Sequence, residues 1–185
     1  DRTVGINHKP NINFLRSLEK NIGIKAPEEH GVDTVGAVKL MQKTNSVFIS
    51  MGGNFLSAMS DTKTTARGLR NCNLTVQIST KPNRSHLVTG KKALILPCLG
   101  RTEIDQTAEG IQFVTVENSM GVVHSSQGNS KPISNNLKSE VAIVTGIALA
   151  LEKKISRNKI NWQNLSDNYD NIRDLSLIHI SEPTR

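Results

Sequence analysis

The chain has 185 residues, of which 36% are apolar and 3% aromatic, and its formal net charge is +7. This length and apolar content are sufficient for a folded domain with a core, so the composition does not indicate a disordered chain. Scarce aromatic residues argue against a stacking platform for single-stranded nucleic acid. Because the positive charge comes without a long basic block or a recognition motif, it favours a phosphate-bearing ligand over nucleic acid.

The first predicted elements are two helices. Apolar residues recur at helical spacing in Pro10–Asn21. Asp33 is predicted to cap a second helix that carries Val35, Val38 and Met41 on one face.

Short apolar segments bounded by polar or turn residues then predict four strands. They are Ser46–Ser50, Leu74–Ile78, Ala93–Leu96 (stopped by Pro97) and Phe113–Val116. Between the first two, Ser60 or Asp61 is predicted to cap a helix that ends near Arg70. Later helices are predicted at Ser139–Lys153, apolar nearly all round, and at Trp162–Asp174. Alternation of strands and helices predicts an α/β fold with a parallel sheet and flanking helices.

The first strand ends in Gly52, Gly53 and Asn54. Glycine adopts positive φ without strain and lets a ligand approach the backbone, and ligands of parallel sheets bind beyond the carboxyl ends of the strands. The helix that begins near Ser60 is expected to direct free amides towards the same rim, which favours an anion. The motif lacks the spacing of a dinucleotide fingerprint or a P-loop, so an ordinary turn between strand and helix is the alternative interpretation.

The second strand is followed by STKPNRSH, in which Ser79, Thr80 and Lys81 come first and Arg84 adds a second cation. A solvated connection is the alternative, because most loops are polar. Two neighbouring strand ends rich in ligand-type groups favour a nucleotide-like ligand across them.

Two later loops carry further candidates. PCLGRTEID contains Arg101, Glu103 and Asp105, for which a local ion-pair network is favoured over acid catalysis, since a guanidinium lowers a carboxyl pKa. ENSMGVVHSSQG contains Glu117 and His124, and a lone histidine is more often structural than a general base. A small hydrolase that uses His124 has no identifiable nucleophile.

Together, MGGNF, LTVQISTKPNRSHLVTG, ALILPCLGRTEID and VENSMGVVHSSQG resemble, in order and spacing, the α subunit of molybdopterin-dependent oxidoreductases. The similarity is to the formate-dehydrogenase-like branch of the dimethyl sulfoxide reductase superfamily, and it runs from Asp1 to about Asp174. PCLGRTEID and NRSHLVTG are its most specific parts.

The resemblance implies that residues 1–174 form a Rossmann-like domain of a larger multidomain protein, which holds one half of a molybdenum-bearing bis-(molybdopterin guanine dinucleotide) cofactor. It implies cofactor-binding roles for ten residues: Gly52, Gly53, Asn54, Ser79, Thr80, Lys81, Arg101, Asp105, Glu117 and His124. The family's 4Fe-4S cysteines and the metal's protein ligand lie upstream of Asp1, and its final barrel domain lies downstream. Its partners are therefore expected to be the dinucleotide, the remaining domains of the same chain and an electron-transfer subunit, and the fragment alone is expected to be inactive.

Three further expectations complete the interpretation. Cys72 and Cys98, far apart and without a CxxC, are predicted to be buried thiols. The longest apolar stretch is too short for a membrane span, and no secretory signal is evident, so a cytoplasmic location is expected, with an upstream signal left open because the chain begins at Asp1. Residues 175–185, LSLIHISEPTR, resemble a translated sequencing adapter and are interpreted as not native.

Two alternatives to an oxidoreductase segment stay open on sequence alone. A free-standing nucleotide-binding regulatory module explains the strand-end loops equally well. A basic nucleic-acid-binding domain agrees with the charge but not with the few aromatic residues, and steeply salt-dependent DNA binding would indicate it.

Overall fold

The computed structural model describes residues 31–43, 45–152 and 160–180, together with 16, 19 and 20; for 176–180 it describes the backbone alone. The predicted helix at 10–21 lies almost entirely outside the described residues. The chain divides into two compact units. We call residues 32–100 with 133–140 the sheet unit, and residues 101–132 with 141–185 and the segment before residue 32 the hairpin unit.

The sheet unit has the predicted α/β architecture with a parallel sheet and flanking helices, so the fold class is confirmed. Its three strands are hydrogen-bonded in the order β1-β2-β3, and both pairs are parallel. The elements in chain order are α1 (Thr34–Lys43), β1 (Val47–Met51), α2 (Phe55–Ala58), α3 (Thr62–Asn71), β2 (Leu74–Ser79), a 3-10 turn (Arg84–Leu87) and β3 (Lys92–Pro97).

The core of the sheet unit lies between the sheet and its helices. Its buried members are Val38, Met41, Leu56, Leu69, Cys72 and Val88, with Phe48 and Phe55 packed against them. Gly68 allows α3 to approach α1, since a Cβ there would lie 3.3 Å from both the Met41 Cβ and the Val38 carbonyl oxygen. Burial raises the pKa of the Cys72 thiol.

The predicted start of α1 is confirmed, because the Asp33 carboxylate accepts a hydrogen bond from the Gly36 amide at 2.6 Å. Val38 and Met41 are buried as expected. Val35 is half exposed, so the packed surface of α1 covers only part of the predicted apolar face. The prediction of two buried thiols at Cys72 and Cys98 is confirmed.

The hairpin unit contains two short antiparallel pairs. The first joins β4 (Gln106–Thr107) to β5 (Gly110–Ile111), and the second joins β6 (Val114–Glu117) to β7 (Val123–Ser126). The fourth predicted strand therefore exists as β6 but does not extend the parallel sheet. Asn118 explains this, since its side-chain oxygen accepts hydrogen bonds from the amides of Met120 and Val122 and closes a tight turn.

The remaining helices are α4 (Glu140–Glu152), α5 (Trp162–Asp167) and α6 (Tyr169–Ile180). The predicted single helix at 162–174 is divided at Asn168, whose extended backbone ends α5 and whose side chain accepts a hydrogen bond from the Asp170 amide. Within the described ranges, no helix has the length and apolar character needed to cross a bilayer.

Candidate functional site

The carboxyl end of β1 forms a turn that requires glycine. Gly52 and Gly53 have φ of 62° and 68°, a region that L side chains rarely adopt. The Gly52 amide donates to the Ile78 carbonyl oxygen at 2.8 Å, which holds the turn against β2. A Cβ on either glycine would meet no atom within 4 Å, so open space lies over this backbone.

The loop after β2 is fastened to this turn by three hydrogen bonds, which we call the loop clasp. Asn83 Nδ2 donates to the Gly53 carbonyl oxygen at 2.7 Å, and Ser85 Oγ donates to Asn54 Oδ1 at 3.2 Å. Ser85 Oγ also accepts the buried Leu56 amide at 2.9 Å. The clasp brings the predicted residues Gly53 and Asn54 together with the loop that begins at Ser79.

The clasp residues are themselves fixed by the 3-10 turn. Asn83 Oδ1 accepts the Ser85 amide at 2.9 Å, and His86 Nδ1 accepts the Asn83 amide at 3.0 Å, a reciprocal capping box. Gln77 Nε2, buried under the turn, donates to the Ser85 carbonyl oxygen at 2.8 Å. His86 Nε2 is buried and has no partner in the part of the chain that the structure describes.

Sequence reasoning missed Asn83, Ser85 and His86 as site residues. The sequence signal that could have identified them is Asn83 followed three residues later by His86, a capping-box pattern with an unusual final residue. The pattern is weak, because capping boxes normally end in Glu or Gln.

The cations of the second loop are available to a ligand. Lys81 and Arg84 are exposed, and neither makes an ion pair within the described ranges. Thr80 is also exposed, whereas the Ser79 hydroxyl donates to the Lys81 carbonyl oxygen at 2.8 Å and so shapes the loop. The loop that is hydrogen-bonded to the glycine turn therefore carries two exposed cations.

The start of α3 differs from the expected anion site. Asp61 caps the helix, and its carboxylate accepts hydrogen bonds from the Thr64 hydroxyl at 2.6 Å and the Thr64 amide at 2.9 Å. These two bonds, the hydroxyl first, lower the pKa of Asp61. A carboxylate already lies at this helix end and takes the Thr64 amide, which disfavours a second anion there, so the expected anion site stays a prediction.

Arg101, Asp105, Glu117 and His124 belong to the hairpin unit. The Asp105 carboxylate accepts a hydrogen bond from the hydroxyl of Tyr169, a buried residue, and the Tyr169 amide donates to Gln112 Oε1 at 3.0 Å. Asp105 thus fastens the loop before β4 to the start of α6.

His124 and Glu117 lie on the second hairpin. His124 is exposed and pairs with Val116 across the hairpin. Its Nε2 lies 3.0 Å from Asn118 Nδ2 and accepts a hydrogen bond from that side-chain amide. Glu117 pairs with Val123 at the turn end of β6, and its side chain is exposed, as is that of Arg101. The cofactor roles of the ten predicted residues, and the boundary of a single domain at residue 174, stay predictions.

The groups at the rim of the sheet unit have the chemistry that a phosphate-bearing ligand requires. The backbone of the two glycines is open, and Lys81 and Arg84 carry charges that suit a pyrophosphate. Among the described residues, no group of three or more His, Cys, Asp or Glu is arranged to hold a metal ion.

Comparison with known proteins gives relatives that are much longer than this chain. Over 175 residues, 94% of the chain, it is 49% identical to proteins named "Uncharacterized oxidoreductase" of Mycobacterium tuberculosis and Mycobacterium bovis. Over the same length it is 42% identical to Protein YdeP of Escherichia coli. No protein-family model matches the chain. The chain spans 22% of the length of the mycobacterial relatives and 23% of the length of YdeP, so it is similar to one segment of larger proteins, some of which are named oxidoreductases.

Proposed function

We propose that this chain is the segment of a molybdopterin-dependent oxidoreductase that binds one half of a bis-(molybdopterin guanine dinucleotide) cofactor. The observation that carries the proposal is the rim of the sheet unit. There, the glycine turn after β1, which has positive φ and an open backbone, is hydrogen-bonded to the loop after β2. The mycobacterial relatives named oxidoreductases support the reaction class, and the motif resemblance supports the cofactor.

Each group at the rim has a role in this proposal. The backbone of Gly52 and Gly53 lies against the dinucleotide, and Lys81 and Arg84 neutralise the pyrophosphate. Charge-assisted hydrogen bonds of this kind contribute about 1.5–3 kcal/mol each, less where solvent screens them. Asn83 and Ser85 contact the loops rather than the ligand and hold the glycine turn in place.

The chemistry of electron transfer belongs to the cofactor when it is bound. The molybdenum supplies the redox change, and the protein orients and neutralises the dinucleotide. The 4Fe-4S cluster, the metal's protein ligand and an electron-transfer subunit are supplied by parts outside this chain. Formate is the substrate that the family resemblance suggests, and fold alone does not fix it.

The binding proposal is tested by titrating the chain with GDP, which carries the guanosine and pyrophosphate chemistry of the dinucleotide. Calorimetry is expected to show binding that weakens about tenfold in Lys81→Ala. The matched control is Lys63→Ala, which removes an exposed lysine from α3, and it should leave affinity unchanged. Absence of binding, or equal affinities of the two variants, contradicts a pyrophosphate site at this rim.

The oxidoreductase proposal is tested on the full-length polypeptide. Acid hydrolysis of the purified protein is expected to release GMP in proportion to bound molybdenum, whereas residues 1–174 made alone are expected to have no turnover. GDP binding by the chain, together with a full-length protein that contains neither molybdenum nor GMP, would favour the alternative of a nucleotide-binding regulatory module.

A further inference from the structure

The outer edge of β1 is unprotected. Within the described ranges β1 is the first strand of the order β1-β2-β3, and no strand pairs with its other side. The strand, VFISM, contains no charged residue and no proline, the usual devices that prevent an exposed edge from pairing. The opposite edge strand, β3, begins with Lys92 and ends with Pro97.

The hydrogen bonds between β1 and β2 show which backbone groups face the outer edge. The Gly52 amide donates to Ile78, and residues of a parallel strand face its two neighbours alternately. The amides and carbonyls of Val47, Ile49 and Met51 therefore face the outer edge. Their side chains share one face of the sheet and are 59%, 58% and 47% exposed, respectively.

This exposure is unusual for a parallel sheet. Such sheets are normally covered on both faces, and their strands are predominantly apolar, as β1 is at every position except Ser50. On the same face of β2, Val76 and Ile78 are buried. Leu94, on the same face of the opposite edge strand β3, is 45% exposed, so uncovered apolar side chains lie at both edges of the sheet. Of these two edge strands, only β1 lacks both a charged residue and a proline.

The strand order relates this edge to the candidate ligand site. A sheet that runs in the order β1-β2-β3 corresponds to one half of a doubly wound sheet, in which the first strand is central and a further strand lies on its other side. Ligands bind where the strand order reverses, beyond the carboxyl end of that first strand. Gly52 and Gly53 occupy this position.

We propose that β1 is an interior strand in the full-length polypeptide, where a parallel strand from outside this chain pairs with its outer edge. The added strand and the helix that follows it cover Val47, Ile49 and Met51 and form the second wall of the dinucleotide site. The inference rests on the proposed function in one respect, namely that the chain is a segment of a longer protein. The occupant is assigned to the same polypeptide because the relatives supply more than three times the length of this chain outside the matched segment.

Residue-resolved hydrogen exchange of the full-length polypeptide tests the pairing. The Ile49 and Met51 amides are expected to exchange as slowly as those of Phe48 and Ser50, which face β2, and at least about 100-fold more slowly than an unpaired edge. Fast exchange at Ile49 and Met51 alone would overturn the proposal. Protection that is present in a dimeric fraction and lost in the monomer would also overturn it, because a second copy would then supply the strand.

Proline substitutions provide a second test. Ser50→Pro removes an amide that faces β2 and is expected to lower the melting temperature in any case. Ile49→Pro is expected to lower it equally if β1 is interior, and much less if its outer edge faces solvent. GMP released from the same preparations separates the two proposals, since a paired β1 without bound guanine nucleotide refutes the cofactor and leaves the strand pairing intact.

Discussion

Replacing Ser85 with Ala tests whether the clasp holds the glycine turn. The substitution removes the acceptor of the buried Leu56 amide, 2.9 Å away, and the donor to Asn54 Oδ1, 3.2 Å away. A buried amide left without a partner costs about 1–3 kcal/mol, whereas the bond to partly exposed Asn54 contributes less. Since Ala leaves almost no cavity, we expect the free energy of unfolding to fall by about 2 kcal/mol.

The assay is equilibrium urea unfolding of the chain, followed by circular dichroism, with Ser57→Ala as the matched control. Ser57 is exposed on α2, three residues after Asn54, and its hydroxyl makes no hydrogen bond within the described ranges. The control should change the free energy by no more than about 0.5 kcal/mol. If Ser85→Ala changes the free energy of unfolding by no more than the control does, the clasp does not stabilise the turn.

Four further substitutions probe the backbone, a helix cap and the hairpin unit. Gly53→Ala is expected to lower the free energy of unfolding by about 1 kcal/mol in urea because of its positive φ, whereas Gly146→Ala in helix α4, which has no atom near its Cβ, should raise it by about 0.5–1 kcal/mol. Because the pKa of Asp61 is lowered in the folded state, its charged form stabilises the fold fully at pH values above its ordinary pKa of 3.8. This stabilisation is lost as the pH falls through the lowered pKa. Asp61→Asn, which keeps an acceptor without a charge, should therefore be less stable at pH 7, with a difference that vanishes in acid urea titrations. Tyr169→Phe removes the hydrogen bond to the Asp105 carboxylate and should cost about 1.5 kcal/mol; an unchanged melting curve would contradict a structural role for Asp105.

The elements that depend on local signals were predictable. Strands β1, β2 and β3 follow apolar, β-branched runs that end at glycine, serine or proline. The caps of α1 and α3 follow from Asp33 and Asp61, whose carboxylates accept amides three residues on. In each case, the chemistry that starts or stops the element lies within a few residues of it.

Pairing and burial were not predictable in the same way. Phe113–Val116 has the composition of a sheet strand, yet its partner was decided by Asn118, which turns the chain back at once. Val35 has helical spacing with Val38 and Met41, but its exposure depends on where α3 packs. The clasp joins residues about thirty positions apart, and no periodicity reports such a contact.

The polar groups at the rim of the sheet unit fall into two classes, and the difference decides how the site is tested. Asn83 and Ser85 are engaged by the protein, so their loss should lower stability first and affinity only through the displaced glycine turn. Lys81 and Arg84 are exposed and unpaired within the described ranges, so their loss should leave stability unchanged and remove affinity for GDP in a salt-dependent manner. An ordinary turn between strand and helix predicts the first effect without the second. Observing a loss of stability in one set of variants and a loss of GDP affinity in the other would therefore distinguish a ligand site from a loop with a structural role alone.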